Sequence, residues 1–310
     1  MKHLYYVLTA RCNQRCQICP RSEEERVKDR DYEENLRKLE RTILENQITD
    51  ITVSGGEPTV YGDLARVLGL LDRLKVQVSI LSNSMRLENW GYAEQVFGGI
   101  VHKENFQLVT AVHSLNPAIH DQLTGVAASQ ERSVRGLRKV CEMGLPVTVK
   151  CVIGRHNVSE LAGYPAWVRE HVSADADLLF CSMDYVGMTR EQVERYRIDF
   201  SEVKKQLEAA LDVVPASGLK GQVRLAEIPL CAVDPYYWSF CIGPVRKDGV
   251  YDDAHWERSA VSVPDIAPMA EKCKGCVAKK YCYGIWRKQY EEYGEAAVTP
   301  YLPAEPETSL

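Results

Sequence analysis

No stretch of the chain approaches the 18 or more consecutive apolar residues that a membrane-spanning helix needs. Residues 1–6 (MKHLYY) lead into a strand-like run without the pattern of a cleavable signal. Excess positive charge is also lacking: 38 Lys and Arg stand against 43 Asp and Glu, a net charge of −5, which disfavours non-specific capture of nucleic acid or an anionic membrane. There is no internal repeat and no low-complexity tract, and the charged run Glu23-Glu24-Glu25-Arg26 reads as a solvated loop or helix start. With 45% hydrophobic and 26% charged residues over 310 positions, the composition is that of a large α/β unit with a smaller appendage. The expectation is a cytoplasmic protein with neither nucleic acid nor membrane as partner.

Cysteine is what the chain has in excess. It carries 11, and a chain this long in a reducing compartment has no need of disulfides. Cys12, Cys16 and Cys19 fall together near the start, and Cys273, Cys276 and Cys282 near the end. Cys231 and Cys241 precede the second group, while Cys141, Cys151 and Cys181 stand singly in apolar surroundings and read as core. Crowded thiolates repel one another and lose solvation in a folded interior, so a metal that neutralises them is the economical explanation for both groups. Zinc requires four ligands, and the first group offers three unless a cysteine from elsewhere closes the site. An iron–sulfur cubane accepts three and leaves one iron open. The plain alternative is small buried hydrophobes or a redox pair.

Apolar runs near 3–9, 50–54, 76–82, 106–113, 146–153 and 177–183 alternate with helix-like stretches, the pattern of repeated β/α units and a mainly parallel sheet. Asp31 with Glu34 caps a helix carrying Leu36, Leu39 and Ile43 on one face, and another helix opens at Ser129 and closes at Gly144. A helix capped by Asp199 and Glu202 carries Phe200, Val203, Leu207, Leu211 and Val214 at helical spacing. Pro215 to Gly218 marks a boundary between residues 1–215 and 216–310. The second part is weakly periodic and holds one helix with Trp286, Tyr290 and Tyr293 on a side, stopped by Gly294.

In parallel α/β architectures the working site lies at the carboxyl ends of the strands. The three-cysteine loop follows the first strand, Ser54-Gly55-Gly56-Glu57-Pro58-Thr59 the second, and Leu81-Ser82-Asn83-Ser84 the third. The paired glycines allow close approach of the backbone to a ligand, and Glu57 offers a carboxylate to a cation. Taken alone, the second loop is an ordinary turn and the third a helix cap.

Cys12-x3-Cys16-x2-Cys19 followed by Gly55-Gly56-Glu57-Pro58 resembles the radical S-adenosylmethionine (radical SAM) superfamily. The residue before the third cysteine, often aromatic in that family, is Ile18. The segment from Leu108 to Pro117 resembles the fourth-strand region of the molybdenum-cofactor cyclase group and of peptide-modifying relatives. The Ser and Asp that face the SAM ribose there are matched by Ala111 and His113, the latter also readable as a packed strand-end histidine. Residues 150–155 resemble the fifth-strand segment, which puts the Ile153 backbone against adenine and pairs Arg155 with the SAM carboxylate. The C-terminal cysteines resemble the SPASM and twitch auxiliary-cluster regions, implying Cys231, Cys273, Cys276 and Cys282 as ligands, with Cys241 the rival fourth.

The resemblance implies a partial (β/α)6 TIM-like barrel with a small C-terminal auxiliary-cluster domain, one SAM-binding [4Fe-4S] cluster on Cys12, Cys16 and Cys19, and an auxiliary [4Fe-4S] cluster. Gly55, Gly56, Glu57, Pro58, Ser82, Asn83, His113, Ile153 and Arg155 are the implied SAM contacts. SAM is cleaved to a 5′-deoxyadenosyl radical that abstracts a hydrogen from substrate, with Asp184 and Tyr185 as candidate substrate contacts. The expected activity is modification of a ribosomally made peptide by cross-linking, thioether formation or side-chain oxidation, a RiPP maturase. It draws electrons from a donor such as flavodoxin or ferredoxin, and a separate peptide-carrier protein is expected because the cysteine loop begins at residue 12. The alternatives are a dehydrogenase, mutase or cyclase acting on a small metabolite, and a non-catalytic iron–sulfur or zinc protein serving as electron carrier or sensor.

Overall fold

The structure, a computed structural model, describes residues 2–19, 32–242, 249–253, 269–282 and 284–303. Each expected β-run forms a strand: β1 (His3–Thr9), β2 (Asp50–Gly55), β3 (Gln77–Leu81), β4 (Phe106–Ala111), β5 (Val147–Val152) and β6 (Asp177–Cys181). Six is not the full number. β7 (Val223–Ala226) and β8 (Gly249–Asp253) extend a parallel sheet of eight strands in the order β7-β6-β5-β4-β3-β2-β1-β8. The periodicity missed them because β7 has four residues with Arg224 exposed, and β8 ends in two aspartates. They are the two edges, so the barrel stays open. Both strands come from beyond residue 215, so the sheet draws on both sides of the expected boundary.

The helices are α1 (Tyr32–Asn46), α2 (Leu64–Arg73), α3 (Trp90–Phe97), α4 (Pro117–Thr124), α5 (Ser129–Glu142), α6 (Tyr164–His171), α7 (Arg190–Tyr196), α8 (Phe200–Asp212), α9 (Val214–Ser217) and α10 (Arg287–Tyr293). Asp31, the expected cap of α1, lies outside the described residues, as does the charged run 23–26. On α8 the Asp199 carboxylate accepts from the Ser201 and Glu202 amides at 2.9 and 3.0 Å, and α10 stops at Gly294 with φ 57°.

Strand alternation sorts the sheet into two faces. Leu4, Ile51, Val53, Ile80, Leu108, Val149, Phe180 and Leu225 face the helices and are buried against Leu39 and Ile43 of α1, Leu68 and Leu71 of α2, Leu137 of α5 and Leu207 of α8. Each such side chain contributes about 1.5–3 kcal/mol through burial. The opposite face looks into the barrel and carries polar pairs among its apolar residues: Tyr5 donates to Ser54 Oγ at 2.7 Å, and Gln107 to Asp177 at 3.0 Å. The apolar face thus fixes the sheet against its helices and leaves the lumen to other uses. Among the described residues no helix is long and apolar enough to cross a membrane.

Candidate active site

The cysteine loop is anchored on both flanks. On one side the Gly56 amide donates to the Thr9 carbonyl at 2.7 Å and the Glu57 amide to the Arg11 carbonyl at 2.8 Å. On the other, the Arg15 and Gln17 amides donate to the carbonyls of Thr124 and Leu123, both at 2.9 Å, at the end of α4. Inside the loop the Gln14 amide donates to Cys12 Sγ at 3.4 Å, and Cys16 Sγ donates to Gln14 Oε1 at 3.4 Å. Cys12, Cys16 and Cys19 are each partly exposed.

The glycine pair serves this loop. A Cβ on Gly55 would overlap the Thr9 carbonyl and one on Gly56 the Arg11 carbonyl, and Gly55 also has φ 130°. The close approach expected toward a ligand is made, in the structure, to the cysteine-loop backbone.

Glu57 is buried and held by four donors. Its Oε1 accepts from Thr59 N (2.9 Å), Thr59 Oγ1 (2.7 Å) and Ser82 Oγ (2.6 Å), and its Oε2 from the Asn83 amide (2.6 Å). Burial pushes its pKa up, while these hydrogen bonds pull it back. A carboxylate has about four acceptor positions, so Oε2 keeps one for a ligand ammonium. Pro58 opens the short turn that presents Thr59 to Glu57. Asn83, through Nδ2, donates to Asn13 Oδ1 at 2.7 Å and so ties the third loop to the cysteine loop. Asn13 carried no motif that would have singled it out.

The other expected contacts divide. Ile153 is buried, its amide donating to the Cys181 carbonyl at 2.9 Å, and Arg155 is exposed beside a cavity of about 180 Å³ shared with Leu123, His156, Arg195 and Tyr196. His113 is buried with its ring 5.5 Å from that of His120, whose Nδ1 accepts from the His113 amide at 3.1 Å. Burial, with His120, His156 and Lys150 nearby, holds His113 far below the usual histidine range, and burial takes His120 and His156 to about 4. All three are therefore neutral at pH 7. Asp184 remains partly accessible at the barrel mouth. Tyr185 is 5% exposed in a small core with Ile18, Leu123, Met183 and Tyr196, and its hydroxyl meets that of Tyr293 at 3.1 Å. Ile18, in the place of an aromatic ring, seals this core beneath the loop.

The C-terminal thiols converge. Cys231, Cys273, Cys276 and Cys282 line one apolar cavity together with Leu230, Ala270 and Ile285, and Cys241 is not on its wall. Burial and nearby thiols raise the pKa values of Cys231, Cys273 and Cys282, that of Cys231 to about 11. Backbone amides already point at two of the sulfurs: Leu230 and Gly284 donate to Cys282 at 3.3 and 3.4 Å, and Thr299 to Cys231 at 3.4 Å. Thiols that shun ionisation by themselves yet receive N–H donors suit a positively charged cluster. Among the described residues no three His, Cys, Asp or Glu side chains are close enough to grip a single metal ion. A cubane takes each thiol on a different iron and does not require them to meet at one point.

An open parallel barrel with a three-thiol loop after β1, braced by a glycine pair and a buried glutamate after β2, defines a class of cluster-dependent enzyme. The Radical SAM superfamily model matches residues 6–163, half of the chain, and the protein belongs to that superfamily. Among curated proteins it is similar to the sporulation killing factor maturation protein SkfB of Bacillus subtilis (strain 168), 25% identical over 197 residues, 63% of this chain and 46% of SkfB. It is also similar to a probable GTP 3′,8-cyclase of Archaeoglobus fulgidus, 27% identical over 161 residues, 51% of this chain and 52% of the relative. The matches thus span about half the length of these relatives. Among solved structures, SuiB of Streptococcus suis bound to precursor peptide SuiA covers 97% of this chain and 74% of its own, with TM-score 0.68 and 13% identity. Native anSMEcpe with bound AdoMet and Cp18Cys peptide covers 96% and 92%, with TM-score 0.60 and 14% identity. These two likenesses are of fold.

Proposed function

We propose that this radical SAM enzyme modifies a ribosomally synthesised peptide, by cross-linking, thioether formation or side-chain oxidation. The observation that carries the reading is the second thiol set. Four cysteines around one cavity complete the coordination of a [4Fe-4S] cluster, and a fully ligated cluster suits an electron acceptor for oxidative bond formation better than a substrate-binding metal. Residues 216–310, the second domain in our reading, supply all four thiols, and Cys241 is left out of the set.

In the barrel, Cys12, Cys16 and Cys19 would hold the first cluster, whose bound form supplies the one-electron cleavage of SAM that starts hydrogen abstraction. Glu57 Oε2 is the acceptor for the SAM ammonium, held in place by Ser82, Thr59 and Asn83. Ile153 offers backbone to adenine, and Arg155 a cation to the SAM carboxylate. His113, neutral and buried, stands where the ribose is expected. The chain's contribution is positioning, with the Ile18 core closing the loop from below. A cytoplasmic location, a flavodoxin-like or ferredoxin-like donor and a separate carrier for the peptide complete the reading.

The likeness to SkfB, a maturation protein for a sporulation killing factor, supports the peptide substrate. The alternative, a small metabolite, is favoured by the GTP cyclase relatives. Co-expression with each small peptide encoded nearby, followed by mass spectrometry, decides between them. A change in peptide mass that disappears in Cys12→Ala supports the maturase, and unchanged masses throughout, with 5′-deoxyadenosine still formed from SAM, support the metabolite.

A further inference from the structure

The barrel lumen holds charges that neither cluster nor SAM uses. Lys150 lies on β5 between Val149 and Cys151, both fully buried against the helices, so alternation turns its side chain inward. Register places Ala111 and Leu179 beside it on the lumen face, and Cys181 shares that face one step toward the mouth. The Lys150 ammonium faces the Cys181 thiol, with Glu227 and Tyr5 also within its field.

Glu227 comes immediately after β7. Alternation from Ala226 would send it to the helix side with Leu225. Its backbone instead takes φ 60°, a left-handed conformation that side chains avoid, and Ser182 Oγ donates to its carbonyl. The carboxylate is thereby brought within the fields of Lys150 and Asp184. Asp184 uses Oδ1 to accept the Val186 amide at 3.1 Å, and Lys288 of α10 is also within its field. No ion pair joins Lys150 to either carboxylate among the described residues. Two carboxylates thus share this region with one inward ammonium, and burial raises the pKa of both. An ionised carboxylate is costly to bury when no ion pair neutralises it, and in a barrel mouth such groups mark a ligand site.

We propose that Glu227 and Asp184 receive a cationic group of the substrate, an ammonium or guanidinium, and that Lys150 is a positioning residue for Glu227. This deepens the proposed function: the peptide residue inserted into the barrel carries positive charge. SAM is itself cationic, so the test separates the two sources.

The probes are butylammonium, butyrate and 1-butanol, titrated into anaerobically reconstituted, SAM-loaded enzyme and followed by saturation-transfer NMR. Butylammonium binds at least tenfold tighter than butyrate or butanol. Glu227→Gln and Asp184→Asn each weaken it at least tenfold, Glu227→Asp restores part of it, and SAM affinity stays within twofold in all three. In Lys150→Met, butylammonium binding falls off at higher pH than in the wild type, because Glu227 ionises later without the neighbouring ammonium. Equal binding of butyrate, indifference to Glu227→Gln, an unmoved pH profile in Lys150→Met, or a parallel loss of SAM affinity overturns the proposal. A failure of the peptide reading leaves these titrations unchanged and shows instead as unmodified peptide masses.

Discussion

Gly56 and Arg11 are in backbone contact so close that no side chain fits between them: a Cβ at residue 56 would overlap the Arg11 carbonyl, which also accepts the Glu57 amide at 2.8 Å. The loop that carries the thiols and the loop that carries the glutamate are one rigid unit. The position of the thiol loop relative to Glu57 is therefore set by a glycine.

Gly56→Ala should push the cysteine loop away from β2. Overpacking of this kind costs about 1–3 kcal/mol, and the larger effect should be on cluster retention. Iron content and thermal unfolding check it against Gly69→Ala in α2, where nothing lies within 4 Å of the added methyl. That control should gain about 0.5–1 kcal/mol and keep its iron.

Glu57→Gln places an amide where four donors point. One N–H must face another, at the Thr59 amide or the Asn83 amide, at a cost of about 1–3 kcal/mol. SAM affinity by equilibrium dialysis should fall at least tenfold while visible absorbance of the clusters persists. Retention of wild-type SAM affinity would remove Glu57 from the ammonium site.

Iron counting separates the two thiol sets. Fully reconstituted protein should hold about eight irons. Cys12→Ala, Cys16→Ala or Cys19→Ala should each leave about four and abolish 5′-deoxyadenosine formation. Changes at Cys231, Cys273, Cys276 or Cys282 should remove the other four, and Cys241→Ala should keep all eight. Loss of iron in Cys241→Ala alone would reassign the fourth ligand.

His156 has both ring nitrogens buried without a hydrogen-bond partner, and burial takes its pKa from 6.5 to about 4. Its folded value lies below its unfolded one, so the unfolded chain binds the proton first. Stability is full above pH 6.5 and drains away as pH falls toward 4, by up to about 3 kcal/mol from this group. His156→Phe should leave stability at pH 7.5 unchanged or higher and flatten the loss between pH 6.5 and 4.5, as urea unfolding at the two ends will show. The ring would keep its edge contact with Tyr196, at 5.6 Å between centroids.

The order of β/α units and the succession of cysteine, glycine–glutamate and serine–asparagine loops were legible in the residues alone. Those features are local: apolar alternation, caps such as Asp199 and motif spacing need no distant partner to be read. Boundaries came close too, with β4 ending at Ala111 where a run to residue 113 was expected, because beyond Val112 the backbone leaves the sheet, the His113 amide donating to His120 and the Leu115 amide to Glu160. What only the tertiary structure decided depends on residues far apart in the chain. β7 and β8 exist as strands because the edges of a preformed sheet offer their hydrogen-bond partners, which a four-residue or acidic segment lacks by itself. Gly56 answers to Arg11, Tyr185 packs with Tyr293, Cys231 but not Cys241 lines the cavity of the last three thiols, and Glu227 takes a left-handed backbone that alternation does not foresee. Each is settled by which surfaces meet when the chain closes, and spacing along a sequence carries no record of that.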